Sequence, residues 1–187
     1  MMKQEINNAT EVLRRGGIIL YPTDTIWGIG CDATNKKAVE KVFKIKRRTI
    51  SKNLIVLIEN KKSLNKYVKK IPDVAWKLIK LAPSLTIIYD NVCGFAPGVI
   101  ASEGSAGIRI TNDMFCKKLI RKFGNPIVST SANISEKKNP ENFSEIDTEI
   151  KKSVDYIVNL RQDETKLFFP SPIIKIKNNQ EFTILRK

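Results

Sequence analysis

The 187-residue chain contains no histidine. This absence excludes the catalytic classes that depend on an imidazole: Ser-His-Asp and Cys-His nucleophile systems, histidine-ligated zinc sites and histidine general-base chemistry. Catalysis by this chain therefore has to use Lys, Arg, Asp, Glu, Ser, Thr, Tyr or Cys side chains, or groups of the bound substrate.

Cysteine is also scarce, and Cys31, Cys93 and Cys116 are widely spaced without a C-x-x-C pair. An odd number with this spacing argues against a disulfide framework and against a thiolate metal site, so we expect three free, buried or half-buried thiols. Segment Met1–Arg15 lacks the apolar run of a signal peptide. No window approaches the roughly 18 uninterrupted apolar residues of a membrane span. The sequence therefore predicts a cytoplasmic protein with no membrane segment.

Positive charge, in contrast, is abundant: 33 Lys and Arg residues against 19 Asp and Glu give a net charge of +14. A general preference for lysine can account for part of this excess, and would spread it over solvated faces. Segment Lys36–Lys52 is denser, because it holds eight basic residues and one acid, Glu40. Such clustering favours a phosphate-binding site, for a nucleotide or a nucleic acid.

Helical periodicities and short apolar runs alternate along most of the chain, which predicts one α/β domain over residues 1–187 with a mixed sheet. The predicted helices are Glu5–Arg15, a helix capped by Asn35, Val74–Ala82, Asp113–Phe123 and one near Phe143–Lys152. The predicted strands are Gly17–Tyr21, Leu54–Ile58, Leu85–Tyr89, Gly107–Ile110, Pro126–Ser129, one around Tyr156, Ile173–Ile176 and Phe182–Leu185.

A possible dinucleotide site is the segment Gly28–Ala33, which matches G-x-G-x-x-A between a predicted strand and a predicted helix. Rossmann folds place an acid about 20 residues later to hold the ribose, and here that region is the basic run Lys46–Lys52. A single short match of this kind carries little weight. The sequence contains no G-x-x-x-x-G-K-[ST] motif, so a P-loop is absent.

Two other groups of residues are candidates for a site. Lys46, Arg48 and Lys52 lie at a helix-to-strand corner, where they are either solvated helix-end cations or cations that surround a polyphosphate. The strand Pro126–Ser129 runs on into the hydroxyl and amide residues of Thr130–Asn133. These residues either cap a turn or line the carboxyl edge of the sheet, where open α/β folds bind ligands.

Taken together, these segments resemble the YrdC family, and in particular its short single-domain members that act as threonylcarbamoyl-AMP synthases. The resemblance extends from Gly16 to about Arg186. It rests on spaced motifs in a fixed order: Tyr21–Ala33, Lys46-x-Arg48 with Lys52, Ile108–Thr111, Ser129–Asn133, Ser171 and Ile184–Arg186.

The resemblance implies a twisted, mostly mixed open α/β sheet with flanking helices and a basic concave cavity. In that cavity L-threonine, bicarbonate or CO2, and ATP would give L-threonylcarbamoyl-AMP and pyrophosphate. ATP would be a substrate, Mg²⁺ is expected to accompany it, and no protein ligand is assigned to the metal. The product would feed a separate tRNA threonylcarbamoyl transferase. The chemistry needs no histidine, because the threonine amine attacks CO2 and the carbamate then attacks ATP.

The resemblance also implies site residues by matching position. The implied catalytic residues are Lys46 and Arg48. The implied ATP contacts are Arg48, Lys52, Ser105, Asn133 and Arg186. The implied threonine contacts are Thr25, Arg109, Ser131 and Ser171.

Two other functions stay open at this point. One is an RNA-binding protein of the same fold without synthase activity; the charge permits direct RNA or tRNA contact, but we find no basic stripe interleaved with aromatic residues. The other is a carbamoyl-transfer domain like that of hydrogenase maturation proteins, which would be flanked by acylphosphatase and zinc-finger segments. The synthase is favoured because the chain retains the family's residues at Lys46-x-Arg48, Lys52 and Ser131-x-Asn133.

Overall fold

A computed structural model describes residues 1–49, 54–165, 168–177 and 181–187. The helices within these ranges are α1 (Met2–Arg14), α2 (Lys36–Ile45), α3 (Lys61–Tyr67), α4 (Asp73–Leu81), α5 (Met114–Phe123) and α6 (Thr148–Ser153). The strands are β1 (Ile19–Tyr21), β2 (Gly28–Gly30), β3 (Ile55–Ile58), β4 (Thr86–Tyr89), β5 (Ala106–Ile110), β6 (Ile127–Ser131), β7 (Tyr156–Ile157), β8 (Ile173–Ile176) and β9 (Phe182–Arg186).

The helix boundaries follow from local capping. The side chain of Asn35 accepts a hydrogen bond from the Ala38 backbone N–H at the start of α2, and Asp113 does the same for Cys116 at the start of α5. Helix α5 ends at Gly124, whose φ of 92° lies in the left-handed region that favours glycine. Both helices confirm the sequence prediction.

The described strands form one mixed sheet in the order β7-β1-β2-β6-β3-β5-β4-β8-β9. The pairs β1–β7, β3–β5 and β4–β8 are parallel, and the other neighbouring pairs are antiparallel. This arrangement confirms the predicted α/β class with a mixed sheet and flanking helices.

The two faces of the sheet are covered to different extents. Val56 pairs with Ile108 on one side and Val128 on the other, and all three point into the larger core beneath α2, α3 and α4. Their strand neighbours Leu57 and Ile127 point to the opposite face, where they pack with α1 and α5. Helices α1 and α5 cover only part of that second face, and the remainder is open.

The G-x-G motif does not form a phosphate-binding loop. Gly28 and Gly30 are the ends of β2, a strand hydrogen-bonded on both sides to β1 and β6. A Cβ atom at Gly30 would lie 2.6 Å from Tyr21 Cε1 and 2.8 Å from the Val128 carbonyl oxygen. The motif thus reflects close approach between neighbouring strands, and the dinucleotide interpretation is wrong.

Two helices differ from the prediction. Helix α3 was not predicted from the sequence, because Leu64 is its single buried residue and leaves no apolar stripe to detect. The helix expected near Phe143–Lys152 is shortened to α6, because Phe143 lies in the preceding loop with its ring 4.8 Å from that of Trp27.

All three cysteines are free, as predicted. Cys31 and Cys116 are buried, but Cys93 is exposed, so the prediction that all three are buried or half-buried is wrong for Cys93. None of the helices in the described ranges has the length and apolar character needed to cross a membrane.

Candidate functional site

The open part of the second sheet face forms a cavity of about 150 Å³. Six of the ten predicted site residues line it: Thr25, Arg48, Arg109, Ser131, Ser171 and Arg186. No described residue that lines the cavity is acidic. The cavity therefore combines three guanidinium groups with several hydroxyls, a composition suited to an anionic ligand that also offers hydrogen-bonding groups.

The alternation of side chains along the strands explains the floor of the cavity. Ser129 and Ser131 of β6 are two residues apart and thus point to the same face. Ile55 pairs with Ser129, and Gly28 pairs with Ser131, so all four positions share that face. Because Gly28 has no side chain and the serines are small, the sheet is hollowed here.

One wall is built around a buried ion pair that the sequence did not reveal. Arg109 is only 4% exposed; its Nη1 donates to Thr25 Oγ1 at 2.9 Å, and its Nη2 lies 3.4 Å from Asp24 Oδ1. Ser84 Oγ donates to the other Asp24 oxygen at 3.2 Å. Arg109 Nε is buried and has no hydrogen-bond partner among the described residues. Asp24 thus holds the guanidinium in place at the wall of the cavity, which Arg109 lines.

The opposite wall joins the ends of three strands. Ser171 Oγ lies 2.9 Å from Thr86 Oγ1, and Arg186 donates to the Ser171 carbonyl oxygen at 2.8 Å and to its Oγ at 3.3 Å. Burial, and then the positive charge of Arg109, lower the pKa of Arg186. Two cations that repel each other across one small cavity favour an anion between them. A predicted nucleotide contact, Arg186, and a predicted threonine contact, Ser171, therefore meet at this wall.

Lys46 lies behind the cavity rather than in it. It is 2% exposed, and its ammonium donates to the carbonyl oxygens of Ser131 and Asn133, both at 2.7 Å, and to Asn133 Oδ1 at 3.2 Å. These contacts occupy its three donors. Burial, followed by the positive charge of Arg48, lowers the pKa of Lys46 to about 7. Lys46 therefore fixes the backbone at the end of β6, from Ser131 to Asn133. Its predicted catalytic role stays a prediction.

The remaining predicted ATP contacts have different positions. Arg48 lines the cavity, and burial lowers its pKa. Asn133 does not line the cavity; its Oδ1 accepts from Ser131 Oγ at 2.6 Å, so it supports a residue that does. Lys52 lies outside the described residues.

Ser105 is not brought to the cavity. It is fully buried directly before β5 and donates to Glu103 Oε1 at 2.8 Å. Arg109 follows four residues later along the strand, a separation of about 13 Å at roughly 3.3 Å per residue. Ser105 is thus not part of the cavity lining, and its predicted ATP-binding role stays a prediction.

Two residues of the site were missed by the sequence analysis. Asn139 lines the cavity from the loop after β6, and no motif pointed to it. Asp24 lies in the Thr-Asp-Thr segment between β1 and β2, inside the matched segment Tyr21–Ala33. No role was assigned to it, because its partner Arg109 is distant in the chain.

The described residues contain no group of three or more His, Cys, Asp or Glu side chains that could hold a metal ion. Among the described residues, the cavity lining offers hydroxyls and an amide but no carboxylate. A divalent cation that entered with a polyphosphate would therefore depend on the phosphate oxygens of that ligand.

Sequence comparisons identify close relatives. The Sua5/YciO/YrdC family model, described as "Telomere recombination", matches residues 11–187. A protein from Methanocaldococcus jannaschii named "Putative threonylcarbamoyl-AMP synthase" is 38% identical over 185 residues, which cover 98% of this chain and 82% of the relative. A threonylcarbamoyl-AMP synthase from Pseudoalteromonas translucida is 33% identical over 155 residues, which cover 81% of this chain and 83% of the relative.

Solved structures share the fold. A double variant of P. abyssi Sua5 superimposes with a TM-score of 0.86 at 27% identity and covers 97% of this chain. A structure of P. abyssi Sua5 complexed with L-threonine has a TM-score of 0.84 at 24% identity. The chain spans 52% and 53% of these two Sua5 chains, about half their length.

Proposed function

The chain belongs to the Sua5/YciO/YrdC family, and we propose that it is a nucleotidyltransferase that forms L-threonylcarbamoyl-AMP from L-threonine, bicarbonate or CO2, and ATP. Pyrophosphate is the second product. The threonylcarbamoyl group then passes to tRNA through a separate threonylcarbamoyl transferase, and residues 1–187 act as one cytoplasmic domain.

The observation that carries this proposal is the convergence of Arg48, Arg109 and Arg186 on one cavity whose described lining holds no carboxylate. A substrate set with a carboxylate, a carbamate and a triphosphate matches three guanidinium groups. The names of the relatives support the synthase over the reading as an RNA-binding protein without synthase activity.

In the first step the neutral amine of threonine attacks CO2, forming an N–C bond and releasing one proton. A carbamate oxygen then attacks the α-phosphorus of ATP, the bond from that phosphorus to the bridging oxygen breaks, and pyrophosphate leaves. The substrates therefore make and break the bonds. The protein contributes placement and positive charge, which is sufficient for phosphoryl-type transfers and agrees with the lack of histidine.

The wall that contains Arg109 is assigned to threonine. The guanidinium of Arg109 would bind the threonine carboxylate or the carbamate, and Thr25 would be fixed beside it by the hydrogen bond from Arg109 Nη1. Ser131 and Ser171 would complete this pocket from neighbouring strands. Asp24 positions Arg109 and does not contact the substrates.

The side of the cavity that contains Arg48 is assigned to the ATP phosphates. Lys52 keeps its predicted role as a second phosphate contact. Arg186 is hydrogen-bonded to Ser171, which is assigned to the threonine pocket. Arg186 would therefore contact the nucleotide at the point where the two substrates meet. Lys46 and Asn133 hold Ser131 in place from behind. Mg²⁺ would accompany ATP through phosphate oxygens, with no protein ligand assigned.

The test is pyrophosphate release by the purified protein with ATP, bicarbonate and each amino acid in turn. We expect threonine to give the fastest release, and Arg48→Ala to lose at least about 100-fold, as expected when a charge that faces a transferring phosphate is removed. Arg14→Ala is the matched control, since Arg14 is exposed at the end of α1, and it should retain wild-type activity. Absence of release with every amino acid, together with salt-sensitive RNA binding, would contradict the proposal.

A further inference from the structure

Arg161 has an unusual backbone conformation and does not line the cavity. Its φ of 59° lies in the left-handed region, which favours glycine and is strained for a residue with a side chain. A non-glycine residue persists in this region only when the surrounding structure holds it there, and such residues cluster at functional sites. The contacts of the Arg161 side chain therefore indicate what this position does.

The guanidinium group of Arg161 joins three parts of the chain. Its Nη1 donates to Asp113 Oδ2 at 2.9 Å and to the Thr23 carbonyl oxygen at 3.3 Å. Its Nε donates to both carboxylate oxygens of Glu164 at 2.9 Å, and the centroid of the Phe168 ring lies 5.4 Å from its Cζ. Arg161 thus ties its own segment to the start of α5 and to the segment between β1 and β2.

Thr23 belongs to the turn that carries the threonine-pocket residue Thr25. Thr23 Oγ1 accepts a hydrogen bond from the Thr25 backbone N–H at 3.0 Å and donates one to the Ile26 carbonyl oxygen at 2.8 Å. On the cavity side, Arg109 donates to Thr25 Oγ1 at 2.9 Å. From outside the cavity, Arg161 donates to the Thr23 carbonyl oxygen. One arginine therefore holds this turn from within the cavity and a second holds it from outside.

Asp113 connects the same outer guanidinium to the buried ion pair. Its Oδ1 accepts from the Cys116 backbone N–H, which caps α5, and its own N–H donates to Thr111 Oγ1 at 3.2 Å. Thr111 Oγ1 donates at 3.4 Å to Asp24 Oδ1, the oxygen that faces Arg109. A continuous chain of polar contacts therefore links the guanidinium outside the cavity to the one that lines its wall.

Arg161 also anchors one end of a long connection. Strands β7 and β8 occupy the first and eighth places in the sheet, so seven spacings of about 4.8 Å place them about 34 Å apart along it. The described parts of the connection between them are residues 158–165 and 168–172. Arg161 fixes the first part beside the turn of Thr25, whereas Pro170 and Ser171 of the second part line the cavity.

We infer that Arg161 is a positioning residue for the threonine pocket, and this inference rests on the proposed synthase activity. Arg161 fixes the turn that carries Thr25 and the polar contacts that end at Arg109, without lining the cavity. Loss of its guanidinium would release the Thr23 carbonyl oxygen and allow Thr25 to shift relative to Arg109. Threonine binding should then weaken, whereas the phosphate side of the cavity, which contains Arg48, should keep its geometry.

A purely structural role is the alternative, and the left-handed φ provides a way to separate the two. Glycine adopts this φ without a steric penalty, so Arg161→Gly removes the guanidinium and relieves the backbone. Arg161→Ala removes the same group and retains the strain, so it should be the less stable variant. If threonine binding depended on stability alone, it would follow that order. A positioning role predicts equal loss of threonine binding in both variants.

The test measures pyrophosphate release by the full chain with threonine and ATP varied in turn, together with urea denaturation of each variant. The matched control is Arg121→Ala, because Arg121 Nε donates to Glu59 Oε2 at 3.0 Å and neither residue lines the cavity. This control also removes one positive charge and one arginine–glutamate pair. Arg161→Lys tests rescue, because an ammonium group can still donate to Asp113 and Thr23.

We expect the KM for threonine to rise about tenfold or more in both Arg161→Gly and Arg161→Ala, with the KM for ATP within about twofold of wild type. Arg161→Lys should recover at least about half of that loss on a logarithmic scale, and Arg121→Ala should keep both KM values within about twofold.

An unchanged KM for threonine in Arg161→Gly would overturn the inference, as would an equal rise in the KM for ATP. A rise confined to the less stable Arg161→Ala would also overturn it. In each of these cases, threonine-dependent release by the wild type would leave the proposed function intact. Absence of wild-type release with every amino acid would contradict the proposed function and this inference together.

Discussion

Two basic regions of this chain look alike in the sequence and differ in the structure. The basic corner is the described residues 36–49 of the segment Lys36–Lys52, and the lysine face is residues 61–80, which comprise α3, α4 and the connection between them. Each region has many cations and one acid. In the basic corner Lys46 is buried, Arg48 lines the cavity, and Arg47 is paired with Glu149. In the lysine face every ammonium group is exposed and none has a described carboxylate partner.

The difference shows that burial and partners, rather than charge density, determine what a basic segment can do. A buried cation with fixed donors binds a ligand of defined shape, and desolvation shifts its pKa, as for Lys46. A solvated cation keeps its mobility and is screened by salt, so it cannot hold a ligand in one defined orientation. Each prediction below tests one side of this contrast.

The largest expected effect comes from breaking the buried pair between Arg109 and Asp24. Their side chains are 4% and 10% exposed, and Arg109→Ala would leave the Asp24 carboxylate without its cation. We expect the free energy of unfolding to fall by about 3–5 kcal/mol, measured by urea denaturation. The exposed pair of Lys36 with Glu40 provides the control: Lys36→Ala should change stability by less than about 1 kcal/mol. Equal effects of the two substitutions would contradict the assigned role of burial.

Salt should separate the two regions next. The KM for ATP at the cavity should change by less than about threefold when NaCl is raised from about 50 to about 200 mM, because partly buried charges are screened less than solvated ones such as those of the lysine face. An increase in KM of more than about tenfold would show that the cavity binds its ligand through solvated charge.

The role of Lys46 is tested by Lys46→Met, which keeps a long side chain and removes the ammonium. The carbonyl oxygens of Ser131 and Asn133 would then lose a hydrogen-bond donor. The backbone that follows β6 would be held less firmly as a result. We expect pyrophosphate release to fall at least about tenfold, with about 1–3 kcal/mol lost from the free energy of unfolding. Lys44→Met, at an exposed position of α2, is the control and should retain activity. Unchanged activity in Lys46→Met would show that the turn after β6 does not depend on this lysine.

A single substitution on the lysine face should have the smallest effect. Lys77→Gln removes one solvated charge, so stability should change by less than about 0.5 kcal/mol. The measurement is urea denaturation, compared with Lys46→Met at a buried position. A stability loss above about 1 kcal/mol would indicate that Lys77 has a structural partner.

The sequence was most informative where structure depends on local signals. Helices α2 and α5 were predicted because Asn35, Asp113 and Gly124 act within a few residues of the helix ends. The resemblance assigned Thr25, Ser171 and three arginines to one site, and these residues line one cavity. Arg109 and Arg186 belong to strands, whereas Thr25, Arg48 and Ser171 lie in the segments between elements.

The remaining features depend on distant pairings. Lys46 contacts Ser131, which is 85 residues away, and Arg109 contacts Thr25, which is 84 residues away. The burial of the Lys46 and Arg109 side chains could therefore not be inferred from neighbouring positions in the sequence. Ser105 is the opposite case: it is close to Arg109 in the chain but distant from it in space. The extended strand β5 separates the two residues, so Ser105 lies away from the cavity.

The most direct test of the account is threonine-dependent pyrophosphate release, compared among wild type, Arg48→Ala and the Lys62→Gln, Lys70→Gln, Lys77→Gln variant. We predict that Arg48→Ala loses at least about 100-fold and that the triple variant keeps wild-type release, because only the first removes a charge that faces the cavity. Full activity in Arg48→Ala, or an equal loss in the triple variant, would contradict the assignment of the cavity as the reaction site.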